Sequence, residues 1–357
     1  MEIEQQPNTI GLDISERSLK AIQFTSYWGK KIKLKAISDL ALEKGIIVDG
    51  EIIIKDQFVR AVDQLLSHPK IGKFGTQYVV ACLPETKTFI KMIDIPLMTK
   101  EEMPQAIKWE AEHHIPLSID ETYWDWQVVD TKLKSQRIPI LLGVAPKNII
   151  NSYTESLTQA KLITLALEIE AVPIVRSLID KDIPPSTEAT MIIDFGASHT
   201  SLCVVDKNTI QFTVSVPISG YQMTEIIAKK LNFSEDEAEK AKIICGLDSK
   251  KCEGAMREIL YKVIDDLIKR IKETFIFYSE HFPNGDPIKK IILCGGGSNF
   301  KFIDSYITDI IKIKVELGNP WCNLKKVTPP YKPSALLSYT TAIGLALRAF
   351  ENDYDKA

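Results

Sequence analysis

Apolar and polar positions alternate over short runs at the start of the chain, and each run ends at turn-forming residues. Ile10 to Ile14, Ser18 to Thr25 and Lys31 to Leu40 therefore read as three successive strands. The period then lengthens. Phe58, Val59, Val62, Leu65 and Leu66 fall on one face of a helix over Asp56 to Leu66. Tyr78 to Leu83 is a further strand closed by Pro84, which completes a β-β-β-α-β unit.

A different pattern follows over residues 85–162. Thr88 to Ile95 reads as a strand stopped by Pro96, and Thr99 with Glu102 has the spacing of a capping box. The helix it opens runs to about His114 and ends at Ile115-Pro116, with His113 and His114 placed to cap it. Strands over Thr122 to Val129 and Ile138 to Val144 and a helix over Asn148 to Gln159 make a β-α-β-β-α insert with its own small core. Trp109, Trp124 and Trp126 crowd into it. They read either as that core or as an aromatic rim for a peptide, and Trp124 and Trp126 share one strand face.

A helix over Leu167 to Ile179, carrying Glu168 and Glu170, returns the chain to the first unit, and Pro184-Pro185-Ser186 reads as a hinge. The opening pattern then restarts. Thr190 to Asp194, Thr200 to Asp206 and Thr209 to Pro217 are strands, and Met223 to Leu231 is a helix, which suggests an internal duplication. Asp236 to about Glu280 is mostly helical. Lys290 to Cys294 is a buried strand running into Gly295-Gly296-Gly297-Ser298, which opens a helical segment over Phe302 to Ile313. The last helix spans Leu336 to Ala349.

Candidate chemistry sits at equivalent places in the two repeats. Gly11-Leu12-Asp13-Ile14-Ser15 and Asp194-Phe195-Gly196-Ala197-Ser198 each place an Asp before a tight turn of small and polar residues. Such a turn cradles phosphate and anchors magnesium beside it, and two of them facing each other can grip a nucleoside triphosphate. The glycine run lacks Cβ atoms, so backbone there can press against a ligand and aim N–H groups at it.

At 357 residues the chain is long enough for two domains or one bilobed unit. Its net charge of −3 gives no argument for nucleic acid or anionic lipid. The six cysteines form no CxxC pair, and they read as reduced core residues of a cytoplasmic protein. The N-terminus is acidic and polar, unlike a signal peptide, and the polar, acidic tail from Glu351 lacks the pattern of a membrane anchor. No apolar run reaches bilayer length.

Together these residues resemble the actin/Hsp70/sugar-kinase superfamily. Within it the chain is similar to the type IV pilus assembly protein PilM family, relatives of the division protein FtsA. The resemblance covers nearly the whole chain. It rests on Gly11-Leu12-Asp13-Ile14 with Lys20, on Ala106 to Glu112 with Ile115-Pro116 in the insert, and on Asp194 to Ala197 with Thr200. Ala238-Glu239 with Lys242 and Gly246, Leu293 with Gly295 to Gly297, and Gly344 to Arg348 complete it. The insert segment is the discriminating one.

The resemblance implies an α/β, actin-like (ribonuclease H-like, duplicated) bilobed ATPase fold. Subdomain 1A would be 1–84, completed by 163–185 and 334–357, and 85–162 would be an FtsA-like subdomain 1C. The second lobe would span 186–333, with 2B at about 232–285. ATP with Mg²⁺ is the implied ligand. Asp13, Ile14, Ser15 and Lys20 would form the first turn, and Asp194, Gly196, Ala197, Ser198, Thr200 and Gly220 the second. Glu239 and Lys242 would meet ribose and base, and Gly295, Gly296, Gly297 and Ser298 the adenosine. Asp13 and Asp194 would hold Mg²⁺ through water. Glu168 and Glu170 are candidates for orienting an attacking water, whereas His199 reads as a solvated neighbour.

Ser15 stands where the family usually places glycine, Glu16 and Arg17 replace small residues, and Ser219-Gly220 replaces a Gly-Gly pair. These departures lead us to expect weak or partner-dependent hydrolysis. The implied setting is the cytoplasmic face of the inner membrane, reached through the N-terminal tail of PilN, with PilO and the pilus motor ATPases nearby. Self-association is open on this reading. Two alternatives also remain open: an FtsA-like filament-forming protein, which should carry an amphipathic membrane helix, and a small-molecule kinase, which should carry a catalytic Asp aimed at a substrate hydroxyl.

Overall fold

The computed structural model describes residues 9–27, 31–115, 118–129, 137–248 and 250–351. Pro116 and residues 352–357 of the polar tail, both used in the sequence argument, lie outside them. The first sheet is built from β1 (Ile10–Ser15), β2 (Ser18–Tyr27) and β3 (Lys31–Ala41), an antiparallel meander. A two-stranded ribbon of β4 (Ile47–Val48) and β5 (Glu51–Ile52) follows, then α1 (Lys55–Ser67), β6 (Ile71–Gly72) and β7 (Tyr78–Leu83).

The insert contributes β8 (Phe89–Pro96), α2 (Met103–His114), β9 (Thr122–Val128), β10 (Arg137–Pro146) and α3 (Lys147–Gln159). The chain re-enters the first lobe as β11 (Ile163–Ile169) and α4 (Ala171–Leu178). The second lobe comprises β12 (Ala189–Phe195), β13 (Thr200–Asp206), β14 (Thr209–Val216), α5 (Gly220–Leu231), α6 (Glu235–Cys245), α7 (Ala255–His281), β15 (Ile288–Cys294), α8 (Ile303–Ile311) and β16 (Lys314–Leu317). Helices α9 (Pro333–Leu336) and α10 (Thr340–Leu347) close the chain.

The duplication is visible in strand order. The first sheet runs β11-β7-β1-β2-β3-β6, and the second contains β16-β15-β12-β13-β14. In each, an antiparallel meander is flanked by a strand parallel to its first member and then by another parallel strand. The sequence pattern identified the meanders but placed a helix from Leu167, where β11 runs. Glu168 therefore lies on a strand, and Glu170 immediately precedes α4.

The insert's strands extend the second lobe's sheet. The eight-stranded order continues from β14 through β8 and β10 to β9, so the insert bridges the lobes instead of standing apart. Its core joins Ile93, Ile95, Ile107, Ala111, Ile140, Leu142 and Val144, with Trp124 and Trp126 packed against it. Trp109 is 61 % exposed and its ring meets that of His113 at a tilt of 58°. Helix α3, grouped with the insert in the sequence, buries Ile149, Tyr153 and Leu157 in the first lobe's core.

Glu102 accepts the Thr99 N–H, one half of the expected capping box, but the Thr99 hydroxyl donates to the same carboxylate while the Glu102 N–H goes to Thr99 O, and regular helix starts only at Met103. His113 meets the carbonyl of Trp109, the helix-end role expected of it.

Helices α4 and α10 hold the lobes together. Every residue of α10 is buried. It lies against β1, where any Cβ at Gly11 would collide with the backbone of Ala342 and Ala346. Gly11, expected as part of a phosphate turn, thus serves helix packing. On the other side α4 sets Ile174 and Leu178 against Ile192, Cys203 and Ile292 of the second sheet. Two buried and two half-buried charges fix this layer: Glu168 pairs with Arg176 at 2.6 Å and with Arg348, and Arg176 reaches Glu351 at 2.8 Å.

Cys245 and Cys252 are joined by a disulfide, so the expectation of six reduced cysteines fails for this pair. The end of α6 and the tight turn that precedes α7 bring them together, a proximity that their seven-residue spacing does not announce. No helix among the described residues is long and apolar enough to cross a membrane.

Candidate functional site

The β1–β2 turn and the β12–β13 turn face each other across one cleft of about 240 Å³. Asp13, Ile14, Ser15 and Lys20 line it from the first lobe, and Asp194, Gly196, Ala197 and Ser198 line it from the second. Antiparallel register decides the first cluster. Asp13 pairs with Lys20 across the β1–β2 ladder, which brings Lys20 Nζ to 3.2 Å from Asp13 Oδ2. The Ser15 hydroxyl donates to Asp13 Oδ1 at 3.0 Å. Both partners are largely buried. Burial opposes the charge on Lys20, but the adjoining Asp13, then Asp194 and Glu170, outweigh it and hold its pKa above the ordinary lysine value.

Asp194, next to last in β12, lies beneath the glycine run. Gly295 has φ +80, and a Cβ there would collide with Asp194 Oδ1 and the carbonyl of Phe195. Only glycine lets the end of β15 lie so close over this carboxylate. Gly295 N–H also donates to Leu337 O at 3.1 Å, which ties the glycine run to the segment before α10. The run does not open α8 directly: Gly296–Asn299 form a tight 3-10 turn, and α8 begins at Ile303. Gly295 and Gly296 line the cleft, whereas Gly297 lies over Phe195 and Ser298 turns its hydroxyl onto the carbonyl of Cys294.

The remaining expected residues lie just outside the cleft. Lys242 Nζ contacts Gly220 O and Thr224 Oγ1, both at 2.8 Å, and Glu239 Oε2 at 2.7 Å. This shelf is joined to the second turn, because Gly220 N–H donates to Gly196 O at 3.1 Å. Thr200 is buried and braces Ile218 O at 2.6 Å.

The two glutamates part company. Glu170 faces the cleft; Glu168 is held behind it by Arg176 and Arg348. His199, set aside at the sequence level, lines the cleft with its Nε2 3.6 Å from Glu170 Oε2. Burial opposes its positive charge, yet the hydrogen bond and charge of Glu170, with Asp194 and Glu85, raise its pKa above the ordinary histidine value. Its position immediately before a buried strand was the only sequence signal.

Asp194 is pushed above the ordinary carboxylate range by burial first and then by Glu170, with His199 pulling the other way. Glu85, not singled out in the sequence, is buried at the root of the insert, and its pKa rises to about 7 mainly through burial. Its Oε2 is an unpartnered buried atom.

Asp194, a buried carboxylate crowded by Glu170 and Asp13, is a donor that a hard divalent cation would relieve. Among the described residues no three acidic, His or Cys side chains converge as a direct metal cage. Two carboxylates on facing turns suit an ion that keeps most of its waters and takes phosphate oxygens.

Residues 11–350 match the type IV pilus assembly protein PilM family. The chain belongs to that family. A solved PilM–PilN type IV pilus biogenesis complex superimposes with a TM-score of 0.81 at 22 % identity, covering 96 % of this chain and 99 % of that one. The MreB protein of Spiroplasma citri bound to AMPPNP gives 0.54 at 13 % identity, covering 96 % and 95 %. Both likenesses establish the actin-like fold. In sequence, the cell division protein FtsA of Pseudomonas aeruginosa is 24 % identical over 187 residues, covering 46 % of this chain. That match spans only 43 % of the division protein's length.

Proposed function

We propose that this chain is the ATP-binding, actin-like component of a type IV pilus inner-membrane assembly complex, held at the cytoplasmic face through a PilN-like tail. The carrying observation is the pair of facing turns, with Asp13 and Asp194 in one cleft and Lys20 between them in charge. Asp13 and Asp194 would hold Mg²⁺ through its waters, Lys20 would meet phosphate, and the Gly295–Gly296 backbone would pass under the nucleoside. The bound metal would supply charge neutralisation to the phosphates. Glu170 and His199, which line the cleft from opposite lobes, would orient a water. Calorimetric titration with ATP, with and without Mg²⁺, tests the assignment, and metal-independent or absent binding would remove it.

The same chain would grip a PilN-like N-terminal peptide between insert and first lobe. A second cavity of about 510 Å³ supports this: Gln127, Val128 and Leu141 of the insert face Val172 and Val175 of α4 and the following Ile179, with Asn208 to Ile210 of the second lobe at its side. β9 is the free edge of the eight-stranded sheet beside that cavity, so an extended peptide could add backbone hydrogen bonds there. Hydrogen exchange with the peptide should show protection in the insert and α4. Protection confined to residues 190–331 would misplace the groove. PilO, the motor ATPases and self-association remain further proposals of this reading, to be sought by reconstitution.

A further inference from the structure

Behind each cleft aspartate stands a buried cysteine. Cys82 Sγ lies 3.6 Å from Asp13 Oδ1 and is 1 % exposed. Cys294 is fully buried and stands directly opposite Asp194 on the neighbouring strand, and burial first and then the Asp194 carboxylate push its thiol pKa up. The two placements are equivalent in the duplicated fold. Cys82 is near the end of β7, the parallel neighbour of β1, with Leu12 opposite Ala81 one position earlier. Cys294 ends β15, the parallel neighbour of β12, and stands directly opposite Asp194.

A neutral thiol is a weak donor with no charge to neutralise the carboxylate it meets. It can therefore fix a carboxylate's rotation while leaving its charge available to a cation. Burial favours this neutral form: it is the leading cause that drives both thiols well above the ordinary cysteine pKa. At Asp13 the division of labour is explicit. Oδ1 accepts from Cys82 and from Ser15, and Oδ2 accepts from Lys20. Cys82 also accepts the N–H of Ile14 at 3.2 Å, so the same sulfur ties down the backbone beside the aspartate.

We propose that Cys82 and Cys294 are a matched pair of positioning residues: their thiols hold the Asp13 and Asp194 carboxylates in the orientation that receives magnesium nucleotide. This rests on the nucleotide assignment above and extends it to residues outside the cleft lining.

The test has two arms on the full chain. The first reads the S–H stretching band by infrared spectroscopy without any ligand. D194A should shift the Cys294 band toward that of a free thiol and leave the Cys82 band in place, and D13A should do the reverse. C82A and C294A assign the bands, and C322A serves as control. The second arm titrates Mg-ATP into C82A, C294A and the serine variants C82S and C294S. Each alanine should weaken affinity about fivefold, the scale of one modest hydrogen bond, and each serine, which keeps a donor, should recover most of it. Thermal midpoints of the ligand-free variants separate misfolding from mispositioning.

Bands unmoved by the aspartate changes would overturn the proposal, and so would serine variants that bind no better than alanine ones. Wild-type protein that ignores Mg-ATP while its S–H bands still respond would overturn the nucleotide assignment and leave the thiol–carboxylate bonds established.

Discussion

Glu170 Oε2 and His199 Nε2 lie 3.6 Å apart, and the pair joins the two lobes at the cleft. The glutamate immediately precedes α4 of the first lobe, and the histidine follows the β12–β13 turn of the second. Opening the cleft would separate them, so any chemistry they support depends on closure.

That geometry predicts a split effect. Glu170→Gln should slow ATP turnover by about 100-fold, the usual range for a general-base or water-orienting group. Nucleotide affinity should stay within about threefold of wild type. Steady-state phosphate release alongside calorimetry checks both, and equal losses in rate and affinity would place Glu170 in binding instead. The wild-type chain alone should turn over below about 1 per second, beneath the common enzyme range.

Asp194→Ala should reduce Mg-ATP affinity by roughly 100-fold, about 3 kcal/mol. Its carboxylate is the second lobe's acidic group in the cleft, crowded by Glu170 and Asp13. Titration in magnesium and in chelator should converge for this variant and diverge for wild type. Equal affinities for variant and wild type in magnesium would be fatal to the role.

Glu168→Ala should behave differently again. It would leave Arg176 and Arg348 without their shared buried partner. Removing one member of such a network costs about 3 kcal/mol of stability. Denaturant unfolding should show that loss, whereas Mg-ATP affinity per folded molecule should not change.

Glu85→Gln should alter the pH profile of stability. The folded-state pKa of Glu85 is raised from 4.5 to about 7. A carboxyl with a raised pKa stabilises the fold fully below its unfolded value, and that contribution is lost as pH climbs through 7. Glutamine stays neutral and removes the loss. The variant should match wild type near pH 4 and exceed it by about 2–3 kcal/mol near pH 8. Urea titrations across that range decide it, and parallel profiles would mean that Glu85 ionises freely.

Much of this protein was fixed locally. Short apolar or alternating runs bounded by turn residues placed the two meanders; β1 and β13 are buried on both faces and read as near-continuous apolar runs, while a half-buried strand repeats every two residues. Asp13 and Asp194 were legible because both stand at the same point of a repeated pattern, and the adjacency of Asp13 and Lys20 follows from hairpin register.

Other features have no local signature. β11 reads as helix because Leu167 and the residues after it share a helical period, and only pairing with β7 overrides it. Gly11 was read as a phosphate-turn glycine, yet the collision it avoids is with α10, more than 300 residues away. Glu168 and Glu170 are two residues apart and look interchangeable. A continuing strand would point both the same way, but β11 ends at Ile169 and Glu170 takes helical backbone before α4, so one enters an arginine cage and the other the cleft. His199, Glu85, Cys82 and Cys294 gained their settings from strands and turns that the sequence separates widely. Burial and proximity set a group's pKa and partners, and both arise only when the lobes close around it.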